Sequence, residues 1–141
     1  RRVKQAQDTI GVVPERRGLC EVTDRLADWL ARQGIARGLL TVFIRHTSAS
    51  LLIRENADAD VARNLESYLA KLVPEDERLY RHNAEGPDDM PTHIKGALTQ
   101  THLSIPISDG RMVLGTWQVV YLFEHRRQPR RRELALHLLG A

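Results

Sequence analysis

At 141 residues, 42% apolar and 28% charged, the chain has the size and balance of one globular domain spanning residues 1–141, which sets aside disorder and a membrane-spanning class. Its longest apolar runs, such as residues 119–123, are far shorter than the roughly 18 residues a bilayer crossing needs, the basic start leads into no secretory signal, and a single Cys20 excludes an internal disulfide or a Cys-based metal cluster, so a cytoplasmic protein is expected. The net charge of +3 is terminal in origin, with five Arg/Lys against two acids in residues 1–17 and five Arg against two Glu in residues 124–133; with aromatics at only 5%, nucleic acid is not favoured as a partner.

Residues 3–10 read as a first strand that ends at Gly11 and Pro14. Val22, Leu26, Trp29 and Leu30 recur at i, i+4, i+7 and i+8, which predicts an amphipathic helix capped by Thr23 and closed by Gly34. Residues 38–45 are a strand rich in Leu, Val, Phe and Ile. The polar bend His46-Thr47-Ser48-Ala49-Ser50 separates it from a short second strand over 51–53. Asn56 then opens a long helix in which Val61, Leu65, Tyr68, Leu69 and Leu72 share a face. Asp58 and Asp60 suit the dipole of its first turn, and Pro74 ends it.

Residues 75–89 follow neither period, and so long a loop in a compact domain is either functional or mobile. Pro91 starts a short helix over 92–100. Residues 103–107, the turn Ser108-Asp109-Gly110-Arg111 and residues 112–124 form a hairpin, and an Arg-rich turn at 126–132 precedes a last strand over 133–139. Mixed helices and strands with antiparallel pairing point to an α+β fold rather than a parallel α/β one.

Chemistry concentrates on histidine, the common metal ligand and the common acid or base near neutral pH. His46 continues the apolar face of Leu40, Val42 and Ile44 to the strand end, where a core opens into a pocket. His82 lies in the long loop and His93 on the first turn of the next helix. Two histidines from a loop and a helix start, meeting a third from a strand end, would make an open three-ligand metal site. Lys95 and the hydroxyls of Thr47, Ser48 and Ser50 suit a phosphate. The ordinary explanations are a buried hydrogen-bonded His46, a solvated lysine, and Asn56 as a plain helix cap. Gln118 breaks the apolar run of its strand; at about 3.3 Å per residue it lies roughly 20 Å from Glu124, so one subunit cannot place both in one small site. His102, His125 and His137 read as strand histidines. No P-loop, nucleophile elbow or Rossmann glycine pattern is present.

Taken together, His46-Thr47-Ser48-Ala49-Ser50, Glu55-Asn56-Ala57-Asp58, Tyr80-Arg81-His82, the run from Glu85-Gly86-Pro87 through Thr92-His93-Ile94-Lys95, and Gly115-Thr116-Trp117-Gln118 resemble the YjbQ family, also called the secondary thiamine-phosphate synthase family. The resemblance covers essentially the whole chain. It implies a compact antiparallel β-sandwich with flanking helices, a homotrimer, and a polar pocket in which His46, His82 and His93 hold a divalent metal ion, with Lys95, Asn56, Asp58, Gln118 and Glu124 as further catalytic candidates. Histidine-rich ligation favours zinc or another late first-row ion over magnesium. The activity implied is a transferase reaction joining a pyrimidine methyl diphosphate to a thiazole phosphate. Two alternatives stand beside it: a metal-dependent hydrolase of a small phosphorylated metabolite, with Glu55, Asp58 or Glu124 as base, and a non-catalytic trimeric metabolite-binding protein. The chain departs from the family at Asn83, where relatives often carry Asp, and at the Arg-rich turn, where they commonly carry Gly.

Overall fold

A computed structural model describes residues 2–141. Five strands form one antiparallel sheet in the order β1 (Lys4–Val12), β8 (Arg132–Gly140), β3 (Gly38–Ile44), β5 (His102–Ser108) and β6 (Arg111–Met112). A smaller antiparallel sheet has β7 (Gln118–Glu124) between β2 (Gly18–Glu21) and β4 (Ala49–Glu55). Three α-helices complete the α+β fold: α1 (Thr23–Ala31), α2 (Ala59–Leu72) and α3 (Asp89–Leu98).

Strict alternation decides the inner face of the large sheet. Leu40, Val42 and Ile44 of β3, Leu103, Ile105 and Ile107 of β5, and Leu134, Leu136 and Leu138 of β8 all point inward. Ala49, Leu51, Val120 and Leu122 of the small sheet meet them, and Leu26, Trp29 and Leu30 of α1 pack on the same core. The other face of the small sheet carries Leu19, Val119, Tyr121 and Phe123, covered by Ala62, Leu65 and Leu69 of α2. Strand β7 is therefore buried on both faces, which is why its sequence is a continuous apolar run and not an alternating one. Truncating an inward leucine such as Leu138 to Ala should cost about 2–5 kcal/mol.

Several expected boundaries shift for local reasons. Residues 112–124 are not one strand: after β6 the chain leaves the large sheet, and a turn in which Gly115 N–H donates to Gln118 Oε1 at 2.7 Å delivers β7 to the small one. Strand β2 has only four residues and carries no readable period. Helix α2 is capped by Asp58, whose carboxylate accepts the Asp60 N–H at 2.9 Å, and not by Asn56, whose own N–H donates to the Trp117 carbonyl. Its inner face is rotated so that Tyr68 and Leu72 are exposed. Thr23 does not cap α1; its hydroxyl accepts the Val120 N–H at 2.9 Å and ties the helix to β7. Helix α3 starts at Asp89, which leaves Pro91 in the first turn, where a missing N–H is harmless. Among the described residues no helix is long and apolar enough to cross a membrane.

Candidate functional site

The N-terminal two turns of α3 present Asp89 and His93, four residues apart and so on one face of the helix. His82 reaches them from the preceding loop. His82 Nε2 lies 2.6 Å from Asp89 Oδ2, His93 Nε2 lies 3.4 Å from the same oxygen, and the two rings meet edge-on with centroids 5.5 Å apart. One ligand atom from each of the three residues falls within 4.8 Å of the other two. The carboxylate is buried, whereas the imidazoles are 50% and 37% exposed, so the group opens to solvent on its histidine side.

Arg126 anchors the buried side of this group, donating from Nη1 to Asp89 Oδ1 at 2.7 Å and lying 3.4 Å from Asp88 through Nε. Burial alone would raise the Asp89 carboxyl, but the His82 hydrogen bond and the charges of His93 and Arg126 outweigh it and hold the group below its ordinary range. Asp89 is therefore an anion at neutral pH. The sequence signal for it was its place four residues before His93 at a helix start. Arg126 carried no such signal, because only the fold brings its loop to α3.

His46 is held elsewhere. Its Nε2 accepts the Glu133 N–H at 2.8 Å, and Arg132 Nη1 lies 3.3 Å from its Nδ1. A neutral ring that accepts through Nε2 carries its proton on Nδ1, so two donors face each other there. Burial, followed by the Arg132 charge, lowers the His46 pKa and keeps the ring neutral. Of the three histidines expected to converge, the structure thus brings His82 and His93 together and gives the third place to Asp89.

The remaining candidates fall into separate groups. Asn56, Asp58 and Gln118 are exposed where β4 ends and β7 begins, with Glu55 paired to Gln118 in register. Glu124 lies fully buried at the far end of β7, ion-paired with Arg132, which also donates to Ser48 Oγ at 2.7 Å. Lys95 is only 5% exposed and lines a small cavity of about 250 Å³ with Arg17, Glu66 and Glu124; burial first, and Arg17 next, push its ammonium pKa down.

A buried polar chain that the sequence did not disclose runs beside Lys95. His125 Nε2 lies 2.8 Å from Ser50 Oγ, Thr99 Oγ1 lies 2.6 Å from Ser50 Oγ, and Thr99 Oγ1 lies 2.7 Å from the Lys95 carbonyl. Each hydroxyl has one proton, so all three bonds are made only if Thr99 donates to the carbonyl, Ser50 to Thr99, and His125 Nε2–H to Ser50. That arrangement leaves His125 Nδ1 as a bare acceptor, and it is the one buried side-chain polar atom without a partner among the described residues. Burial, followed by the Lys95 and Arg132 charges, takes the His125 pKa down to about 3.

The family profile described as UPF0047 protein YjbQ-like matches residues 8–141. A UPF0047 protein of Synechocystis is 48% identical over 97% of this chain and 93% of its own length, and the UPF0047 protein YjbQ of Salmonella typhimurium is 40% identical over 95% of this chain and 97% of its own. A conserved hypothetical protein of Thermus thermophilus has a solved structure with TM-score 0.81 at 33% identity, covering 92% of this chain and 97% of that one. A YbjQ-like protein of unknown function from Sulfolobus solfataricus shares the fold, with TM-score 0.89 at 21% identity over 99% of this chain and all of that one. With the profile spanning nearly the whole chain and relatives of this identity matched almost end to end, the chain belongs to the YjbQ-like UPF0047 family.

Proposed function

We propose that this chain is an enzyme acting on a small phosphorylated metabolite, with His82, Asp89 and His93 as ligands of a divalent metal ion. The observation that carries the reading is the convergence of three ligand atoms within 4.8 Å, with the carboxylate buried and both imidazoles open to solvent. Two histidines and a carboxylate are the donor set of open zinc sites and suit other late first-row ions. Donors about 2.0–2.1 Å from a tetrahedral ion stand roughly 3.3 Å apart. The His93–Asp89 separation of 3.4 Å meets that requirement, whereas the His82–Asp89 hydrogen bond at 2.6 Å has to lengthen.

When bound, such an ion supplies a Lewis acid for a phosphate oxygen and lowers the pKa of a coordinated water. The chain's own residues do the positioning. Arg126 fixes the orientation of Asp89 through Oδ1 and leaves Oδ2 directed at the histidines. The loop that carries His82 leaves that ring half exposed, so a substrate approaches from the histidine side. Hydrolysis of a phosphoester needs only this centre and water. The transferase reaction that the resemblance implies, joining a pyrimidine methyl diphosphate to a thiazole phosphate with loss of diphosphate, asks of the centre that it neutralise the departing diphosphate.

The test is turnover of a phosphoester panel, and of the two thiamine-phosphate precursors, by chelator-treated protein with and without added zinc. Zinc-dependent release of phosphate supports hydrolysis, and zinc-dependent coupling supports the transferase. Wild-type activity in His93→Ala and Asp89→Asn would remove the centre from the reaction. For assembly we propose a homotrimer; Leu39 and Leu139, side by side on the outer face of β3 and β8 and both exposed, support an interface, and light scattering decides it.

A further inference from the structure

A second charged feature lies where β3 ends and β8 begins. A cleft of about 740 Å³ opens there, and its wall carries four arginines, Arg45, Arg130, Arg131 and Arg132, with the hydroxyls of Thr47, Ser48 and Thr101 and no carboxylate side chain. Of these, Arg132 is paired with the buried Glu124 through Nε and Nη2 and turns Nη1 to the cleft, and the two arginines of the same loop that lie outside the cleft are consumed internally. Arg126 holds Asp88 and Asp89, and Arg127 holds Glu75. Arg45 has only an exposed pairing with Glu133 at 3.3 Å, which water screens. Arg130 and Arg131 are exposed and line the cleft, with the Arg131 guanidinium resting over Gly11 of β1 and free to swing to the mouth, and the Arg130 backbone is pinned by its N–H to Glu124 Oε1 at 3.2 Å.

At the base of the cleft the donors outnumber the acceptors. Ser48 Oγ accepts from Arg132 Nη1 at 2.7 Å, so its own proton remains free to donate. The His46 ring accepts the Glu133 N–H through Nε2, which places a proton on Nδ1, yet the neighbour of Nδ1 is Arg132 Nη1 at 3.3 Å, itself a donor. Two donors in apposition, one of them on a guanidinium that is 2% exposed, are unfavourable until an anionic oxygen accepts from both. Phe43 and Ile44 add an apolar flank to the same cleft.

We infer that the cleft at His46 is a binding site for the phosphate group of a small organic phosphate, with His46 Nδ1–H, Ser48 O–H and Arg132 at its base, Arg130 and Arg131 at its mouth, and Phe43 against the organic part. The assignment does not rest on the metal reading. The phosphate is held by donors of the chain itself, so chelation leaves the site intact.

Calorimetric titration of the full chain in EDTA with phenyl phosphate, inorganic phosphate and pyrophosphate tests it. Phenyl phosphate should bind more tightly than inorganic phosphate, and about tenfold or more weaker binding is expected in Arg130→Ala/Arg131→Ala, whose sites are exposed and leave the far-ultraviolet spectrum unchanged. His46→Ala should weaken binding as well, while His93→Ala should bind as wild type does. Unchanged affinity in the double arginine variant, or affinity lost in His93→Ala, would overturn the assignment. So would tighter binding of a single-stranded oligonucleotide than of phenyl phosphate through the same arginines, since that marks a nucleic-acid surface. Failure here leaves zinc binding by His93 and Asp89 standing, and zinc failure leaves this site standing.

Discussion

Glu124 and Arg132 form a buried ion pair, and breaking it gives a sharp prediction. Glu124 is fully buried and Arg132 is 2% exposed. The carboxylate accepts Arg132 Nε at 2.8 Å, pairs with Nη2, and also accepts the backbone N–H groups of Arg126 and Arg130, each at 3.2 Å. Glu124→Ala leaves a guanidinium buried without its counter-ion, a loss of about 3–5 kcal/mol against a total stability of roughly 5–15 kcal/mol. In Glu124→Ala/Arg132→Met the unpaired charge is gone, and only the two loop N–H groups and the Ser48 contacts remain unsatisfied. The double variant should therefore be more stable than Glu124→Ala alone, with a coupling energy of about 2 kcal/mol or more in a double-mutant cycle. Equilibrium urea unfolding followed by circular dichroism measures all four corners. A Glu124→Ala loss below about 1 kcal/mol, or a coupling near zero, would refute the claim that this pair is buried and mutually dependent.

Zinc added to chelator-treated protein should raise the melting temperature, by an amount equivalent to about 2.7 kcal/mol at a hundredfold excess over Kd, and Asp89→Asn or His93→Ala should abolish the rise. His125 titrates near 3 in the fold against an ordinary 6.5, so below pH 6.5 the unfolded chain binds the extra proton and stability falls as the pH drops towards 3. The slope is at most about 1.4 kcal/mol per pH unit, and the difference in urea midpoint between wild type and His125→Gln should flatten it. Lys95→Met should raise the urea midpoint at pH 7, because it removes an ammonium whose burial already lowers its pKa; a fall would mean that the ammonium has a compensating partner. Ser50→Ala should cost about 1–3 kcal/mol by stranding His125 and Thr99, and a neutral result would dismiss the proton arrangement deduced for that chain.

What could be read in advance was governed by period. The alternation of Leu40, Val42 and Ile44 and of Leu134, Leu136 and Leu138 announces half-buried strands, and the structure places these residues in the core. Helix α1 is equally plain from Leu26, Trp29 and Leu30. Strand β2 was not legible, since four residues show no period and its pairing with β7 is long-range. The break at Gly115 was hidden because β7 is apolar on both faces and reads as a continuation of what precedes it. At the site, residue type was informative and position was not. His82 and His93 stood out by chemistry, but nothing in the spacing told that Asp89 would take the third place while His46 turned to the Glu133 backbone.

The Arg-rich segment shows how far composition alone misleads. In sequence, five arginines between Glu124 and Glu133 look like a solvated basic turn. In the fold they divide the work. Arg132 neutralises the buried Glu124 and Arg126 neutralises the buried Asp88 and Asp89, so two of the five are counter-charges for acids that the core and α3 have taken out of water, while the exposed Arg127 bonds the partly buried Glu75 of the loop after α2. Of the five, only Arg130 and Arg131 make no ion pair among the described residues; both line the cleft at His46, with the Arg131 guanidinium lying over Gly11 of β1. One loop therefore orients the carboxylate of the candidate metal centre from one end and supplies the cations of the anion cleft from the other. A ligand that orders Arg130 and Arg131 acts on the same backbone that Glu124 pins, so the buried pair, the cleft and the Asp89 anchor stand or fall with the conformation of residues 125–132.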